Sequence, residues 1–135
     1  MNSKARNQIA RANARRFEPK EADVQKAVVD LLQLDGWRPL RTDPVSDRRR
    51  GKGFGEAGMP DYLFLRYRPG RGCQDEAAIA ETLWIEFKSP HGLVSAQQRL
   101  WHRIERDRGA LTLTIAAVDE FLSWYRHSGL MRRAL

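Results

Sequence analysis

A chain of 135 residues can bury one proper hydrophobic core but is short for two, so a single compact domain is expected without help from disulfides. Hydrophobic residues at 41% and charged residues at 30% belong to an ordinary globular protein, and no apolar run is long enough to span a bilayer. The net charge of +7 is unevenly spread: residues 1–20 carry a balance of +5 and residues 38–53 a balance of +4, which leaves −2 for everything else. Cationic segments on a near-neutral body suit a polyanionic partner, because each neutralised phosphate releases condensed counterions. A solubilising tail would account for the N-terminal segment alone. The second cluster, Arg48, Arg49, Arg50 and Lys52, falls inside the domain and turns the reading towards nucleic acid.

The first residues hold no apolar stretch of the signal-peptide kind, and the single cysteine, Cys73, cannot form an intramolecular disulfide. With no Cys/His cluster at zinc spacing, a reducing cytoplasmic setting is the expectation, with no membrane partner and Cys73 an inert thiol in a loop.

Residues 1–17 are polar and basic with little apolar periodicity, and read as a flexible arm before a domain over 18–135. A helix is expected from Glu18-Pro19, with Val24, Ala27, Val28 and Leu31 as its apolar stripe and Gly36 as its stop. Trp37 to Thr42 reads as a short strand, which Pro39 assigns to a sheet edge. Residues 43–58 form a Gly- and Arg-rich loop. Asp61 to Tyr67 is the next strand, Arg68 to Thr82 a loose hairpin connection containing Pro69-Gly70, and Leu83 to Lys88 a further strand. Ser95 to Arg108 is an amphipathic helix with Leu100, Trp101 and Ile104 inward and Gly109 as its stop. Leu111 to Val118 is a buried strand, and Asp119 caps a last helix carrying Phe121, Leu122 and Tyr125. The order α-β-β-β-α-β-α defines an α/β fold. Leu83 to Val118 should form a right-handed crossover between parallel strands, and the earlier connections permit antiparallel pairing, giving a mixed central sheet flanked by helices.

Chemistry concentrates on the strand Leu83 to Lys88. Glu86 and Lys88 are two apart and leave the same face of the sheet, while Ile85 and Phe87 take the other. Pro60-Asp61 opens the preceding strand, so pairing of the two strands lets Asp61 approach Glu86. Two carboxylates converging at a strand end make a hard-oxygen site suited to Mg²⁺ or Mn²⁺. A neighbouring ammonium could stabilise charge on a phosphate or lower the pKa of an attacking water, and the reaction implied is hydrolysis of a phosphodiester. A surface Glu–Lys pair of no chemical consequence is the plainer alternative.

The segments Gly58 to Asp61 (GMPD), Trp84 to Gly92 (WIEFKSPHG) and Ser95 to Gly109 (SAQQRLWHRIERDRG) together resemble the VRR-NUC branch of the PD-(D/E)xK nucleases. The similarity runs from Glu21-x-x-x-Gln25 to about Trp124. The resemblance implies a restriction-endonuclease-like αβββαβ core, divalent-metal dependence and DNA cleavage, with stand-alone members acting as homodimers, some on four-way junctions. Asp61 and Glu86 would be metal ligands, joined by the backbone carbonyl of Phe87, and Lys88 the catalytic lysine. Glu21 matches an acid of the first helix that helps bind metal or orient water, although it is also a favourable first-turn acid. Gln98 matches the glutamine after the Glu-x-Lys strand, although three residues after Ser95 it also completes a capping box.

Other signals carry less. Gly53-x-Gly55-x-x-Gly58 precedes a strand rather than opening a helix, which removes it as a dinucleotide fingerprint; those glycines read as a mobile loop presenting Arg48 to Lys52 to a phosphate backbone. His91 follows Lys88 closely and could touch a phosphate, though solvent is the plainer setting, and His102 and His127 have no partners at metal spacing. Trp84, Trp101 and Trp124 read as packing, and Trp37 as packing or stacking. The expectation is a divalent-metal-dependent DNA endonuclease, with two rivals: a catalytically inactive nucleic-acid-binding module on a nuclease fold, and a basic scaffold protein of a phage particle or replication complex.

Overall fold

The computed structural model describes residues 4, 19–42, 56–68 and 79–133. The basic arm apart from Lys4, the cluster Arg48 to Lys52, Gly53, Gly55 and Cys73 lie outside the described residues. The elements run α1 (Glu21–Leu34), β1 (Arg38–Arg41), β2 (Tyr62–Arg68), β3 (Ile79–Phe87), α2 (Ala96–Asp107), β4 (Thr112–Ile115) and α3 (Val118–His127). The strands form one sheet in the order β1-β2-β3-β4, with β1/β2 and β2/β3 antiparallel and β3/β4 parallel. This is an α/β fold with a mixed sheet, and β1, the strand holding Pro39, lies at its edge as expected. No helix among the described residues is long and apolar enough to cross a membrane.

The strand registers divide the side chains between two unlike faces. Pairing of Phe64 with Leu83, Tyr62 with Ile85 and Phe87 with Ile115 lines one face with large apolar groups. Val24, Val28 and Leu32 of α1 and Phe121 and Tyr125 of α3 close over that face and complete the core. The opposite face presents Trp84, Glu86, Thr112 and Thr114, and α2 covers it through an edge-on contact of Trp101 with Trp84 at 4.9 Å between centroids.

Both α1 and α2 end in the expected places. Trp37 N–H bonds Leu32 O at 2.9 Å and Gly36 N–H bonds Gln33 O at 3.0 Å, a Schellman motif that recurs at Gly109 with Ala110 N–H on Glu105 O at 2.9 Å.

Four expectations are corrected. β3 begins at Ile79 rather than Leu83, because Ile79 to Thr82 find partners across the ladder in Leu65 to Arg68. β4 stops at Ile115, so Val118 is helical, and Asp119 is a first-turn acid of α3 rather than its cap; the N-cap is Ala117 and makes no side-chain bond. In α2 the buried residues are Trp101 and His102, while Leu100 and Ile104 stay 50% and 41% exposed. The helix turns Trp101 onto Trp84 and Gln98 onto Glu86, which leaves Leu100 and Ile104 on its outer side.

A cluster of buried charge sits where α1 ends, on the apolar face. Arg66, 2% exposed, donates from Nε to Glu81 at 2.7 Å, from Nη1 to Asp35 Oδ2 at 3.0 Å and from Nη2 to Leu130 O at 2.6 Å. Its guanidinium lies 4.2 Å from the centroid of the Trp37 ring, whose Nε1–H donates to Tyr125 Oη at 2.8 Å, so Trp37 is packing. Asp35 also accepts from the Tyr125 hydroxyl and from the backbone N–H groups of Arg132 and Arg133. Burial pushes the Asp35 carboxyl up, but the Tyr125 hydroxyl, the two N–H groups and Arg66 together outweigh it and hold the group below its ordinary 3.8. Tyr125 is pushed up to about 12 by burial and by its bond to Asp35.

Candidate active site

The site forms where β2 begins and β3 ends. The ladder pairs Tyr62 with Ile85, and one more step of that register brings Asp61 opposite Glu86. The ladder stops there because residue 60 is proline and its carbonyl accepts instead from the Thr42 hydroxyl. Asp61 takes over the missing rung with its side chain: Oδ2 accepts from Phe87 N–H at 2.8 Å. The carboxylate of Asp61 is thereby tied to the backbone between Glu86 and Lys88.

Glu86 is 2% exposed, an unusual place for a carboxylate. Its Oε1 accepts from Lys88 Nζ at 2.6 Å and from the Gln98 amide. Its Oε2 is buried and has no hydrogen-bond partner among the described residues. Glu86 and Lys88 share a face as their spacing predicts, with Lys88 just beyond the strand end and its backbone N–H on Ile115 O at 3.0 Å.

Gln98 holds both positions open to it. Its backbone N–H donates to Ser95 Oγ at 3.1 Å and its Oε1 accepts from Ser95 N–H at 2.9 Å, a complete capping box. The remaining amide N–H group then points at Glu86. The helix cap and the orientation of the buried carboxylate are thus one construction.

The turn before Asp61 is docked on the same helix. Met59 N–H bonds Glu56 O at 3.1 Å, and Glu56 accepts from Trp101 Nε1–H at 3.0 Å. Gly58 takes φ +88°, and a Cβ there would lie 2.6 Å from the Gln97 carbonyl carbon and 2.9 Å from the Gln98 amide nitrogen. Only glycine lets the two backbones meet this closely. The sequence reading of a mobile glycine loop therefore does not hold at Gly58, which is a packed contact between the Asp61 turn and α2.

Glu21 is exposed at the first residue of α1, and no bond among the described residues joins it to Asp61 or Glu86. Gln25, one turn on, donates to the Tyr62 hydroxyl at 3.0 Å and so ties that end of α1 to β2. His91 is exposed. Among the described residues no group of three or more His, Cys, Asp or Glu assembles. Two carboxylates with a backbone carbonyl nevertheless suit Mg²⁺, which keeps several waters and takes few protein ligands. The unpartnered Glu86 Oε2 is the atom that fits such an ion, since a buried oxygen without a donor is otherwise costly.

His102, which the sequence sets aside for lack of partners at metal spacing, is buried beside the site. It is 4% exposed, and its Nε2 has no hydrogen-bond partner among the described residues. Burial pushes its pKa below the ordinary 6.5 and the charge of Arg106 adds to that, while the Glu86 carboxylate pulls the other way. Its position one helical turn after Gln98 was the available signal, because i and i+4 share a face. In comparisons with known proteins, the chain matched no family model, no curated protein and no solved structure.

Proposed function

We propose that this chain is a divalent-metal-dependent endonuclease acting on DNA, built on a PD-(D/E)xK nuclease core of the VRR-NUC kind. The observation that carries the reading is the buried Glu86 carboxylate, held on one oxygen by Lys88 and Gln98 and open on the other, beside an Asp61 anchored to Phe87 N–H. The element order αβββαβ and the parallel β3/β4 pair support the same core. A structural ion pair would be completed on both oxygens; this one is not.

Asp61, Glu86 and the Phe87 carbonyl would hold Mg²⁺ or Mn²⁺, with Glu21 as a further acid by the resemblance alone. Bound there, the ion supplies charge for the scissile phosphate and a more acidic water. Lys88 carries its ammonium to the mouth of the site, where it can donate to a phosphate oxygen or to the attacking water. Gln98 keeps Glu86 from rotating, and Gly58 keeps Asp61 against α2. The basic segments 1–17 and 48–52 give phosphate contacts without sequence preference. Branched DNA such as four-way junctions, taken by a homodimer, is the substrate form the resemblance suggests.

The test is cleavage of supercoiled, flapped, splayed and four-way-junction DNA in Mg²⁺ or Mn²⁺, beside Asp61→Asn and Lys88→Ala. Metal-dependent cleavage lost in both variants is the expected result. Cleavage that survives both substitutions sinks the site, and binding without cleavage on every substrate favours the inactive module.

A further inference from the structure

The flank of α2 that faces β4 carries a second feature. Arg99, His102, Arg103 and Arg106 fall at i, i+3, i+4 and i+7, and together with Val94 and Thr114 they line an open cleft of about 500 Å³. Thr114 is the β4 partner of Glu86, so the cleft begins one strand away from the buried carboxylate. His102, whose Nε2 lacks a partner among the described residues, lines the cleft and feels the charge of both Arg106 and Glu86.

The arginines are not committed to carboxylates. None of the three forms an ion pair among the described residues. Arg99 donates from Nη1 to Val94 O at 2.6 Å and Arg106 from Nη2 to Thr112 O at 3.1 Å, which fixes both stems and leaves further N–H groups in each fork. The Arg103 side chain makes no hydrogen bond among the described residues. Three guanidinium groups within two turns repel one another, and like-charge neighbours at i, i+4 destabilise a helix unless an anion lies among them. Planar forks beside a buried imidazole match a tetrahedral oxyanion with several acceptor oxygens better than a single carboxylate.

We propose that this cleft binds a phosphate of the nucleic-acid strand on the β4 side of Glu86, and so sets the path of that strand past the site. The cleft's affinity for phosphate stands on its own lining, whereas its role in placing a strand for cleavage rests on the nuclease reading above. The commitment to a strand rather than a free anion comes from the adjacency of Thr114 to Glu86 and from the basicity of the chain.

The experiment is fluorescence anisotropy of a labelled single-stranded oligonucleotide across a salt series without divalent metal, with wild type, Arg103→Ala, Arg103→Glu and the double variant Arg99→Ala/Arg103→Ala. The double variant should bind roughly tenfold more weakly, and the slope of log affinity against log salt should shrink by about 0.7 for each phosphate of the single strand no longer neutralised. Arg103→Glu should weaken binding more than Arg103→Ala. If the double variant unfolds by circular dichroism, Arg103→Glu alone decides. Affinity and slope unchanged in the folded variants overturn the proposal. Inorganic phosphate, titrated by calorimetry, separates the sources: variants that lose inorganic phosphate but keep full oligonucleotide affinity overturn the strand assignment. Wild-type cleavage in Mg²⁺ is scored separately. No cleavage, with binding still dependent on the cleft, removes the nuclease reading and leaves the phosphate site standing.

Discussion

Two buried charge clusters occupy opposite faces of one sheet and are completed in opposite ways. Around Arg66 each buried charge meets its partners: Asp35 collects Tyr125, Arg66 and two backbone N–H groups, and Glu81 collects Arg66, Arg68 and Arg132. Around Glu86 one oxygen is doubly bonded while the other is buried with no partner among the described residues, and the nearby His102 Nε2 is in the same condition. Burying charge costs several kcal/mol per ion, and only good geometry with full hydrogen bonding repays it. The first cluster meets that condition and ties α1, the sheet and the C-terminal segment together. The second does not meet it among the described residues, and that open oxygen is what the proposed metal role of Glu86 rests on.

The contrast can be broken at either end. Arg66→Leu leaves Asp35 and Glu81 buried without their cation and should cost about 3–5 kcal/mol in urea unfolding. A loss below about 1 kcal/mol would remove the structural role given to that cluster. Glu86→Gln should lower metal-dependent cleavage by about a hundredfold or more, equivalent to about 2.7 kcal/mol. Its melting temperature should hold or rise, since a neutral amide tolerates burial better than a carboxylate with one buried oxygen left without a donor. A fall in stability as large as that of Arg66→Leu would erase the distinction. Gly58→Ala combines a left-handed backbone with a clash on Gln97 and should cost about 1–3 kcal/mol, with weaker cleavage in the fraction that stays folded.

The smallest effect near neutrality lies on the pH axis. Asp35 is more acidic folded than its ordinary 3.8, so its stabilisation is complete above that value and drains away as pH falls through the lowered folded pKa. Acid unfolding of wild type should show this limb, and Asp35→Asn should flatten it. An unchanged acid limb in the variant would assign acid sensitivity to other carboxylates.

Signals confined to a few neighbouring residues were legible in the sequence. Gly36 and Gly109 end their helices, Pro39 marks an edge strand, and Glu86 and Lys88 share a face because strand periodicity is local. Pairwise features far apart in the chain were not legible. Nothing in the residues around Arg66 announces that Asp35, Glu81 and Leu130 will converge on it, and Ile79 to Thr82 are a strand only because β2 lies beside them. The inward face of α2 was misassigned for a related reason. Apolar spacing locates a buried face when the opposing surface is apolar, and here that surface holds Glu86, Thr112 and Thr114. The double duty of Gln98 was visible as two competing readings, and the fold lets both bonds form.

The antiparallel ladder between β2 and β3 has a practical consequence for engineering. It runs from Tyr62 opposite Ile85 to Arg68 opposite Ile79, roughly 20 Å at strand spacing, and Asp61 and Glu86 meet at only one of its ends. The relative position of the two carboxylates is therefore set by the rungs nearest them, not by the length of chain joining Arg68 to Ile79. A substitution at the Tyr62–Ile85 rung should displace the two carboxylates more than one at the Arg68–Ile79 rung.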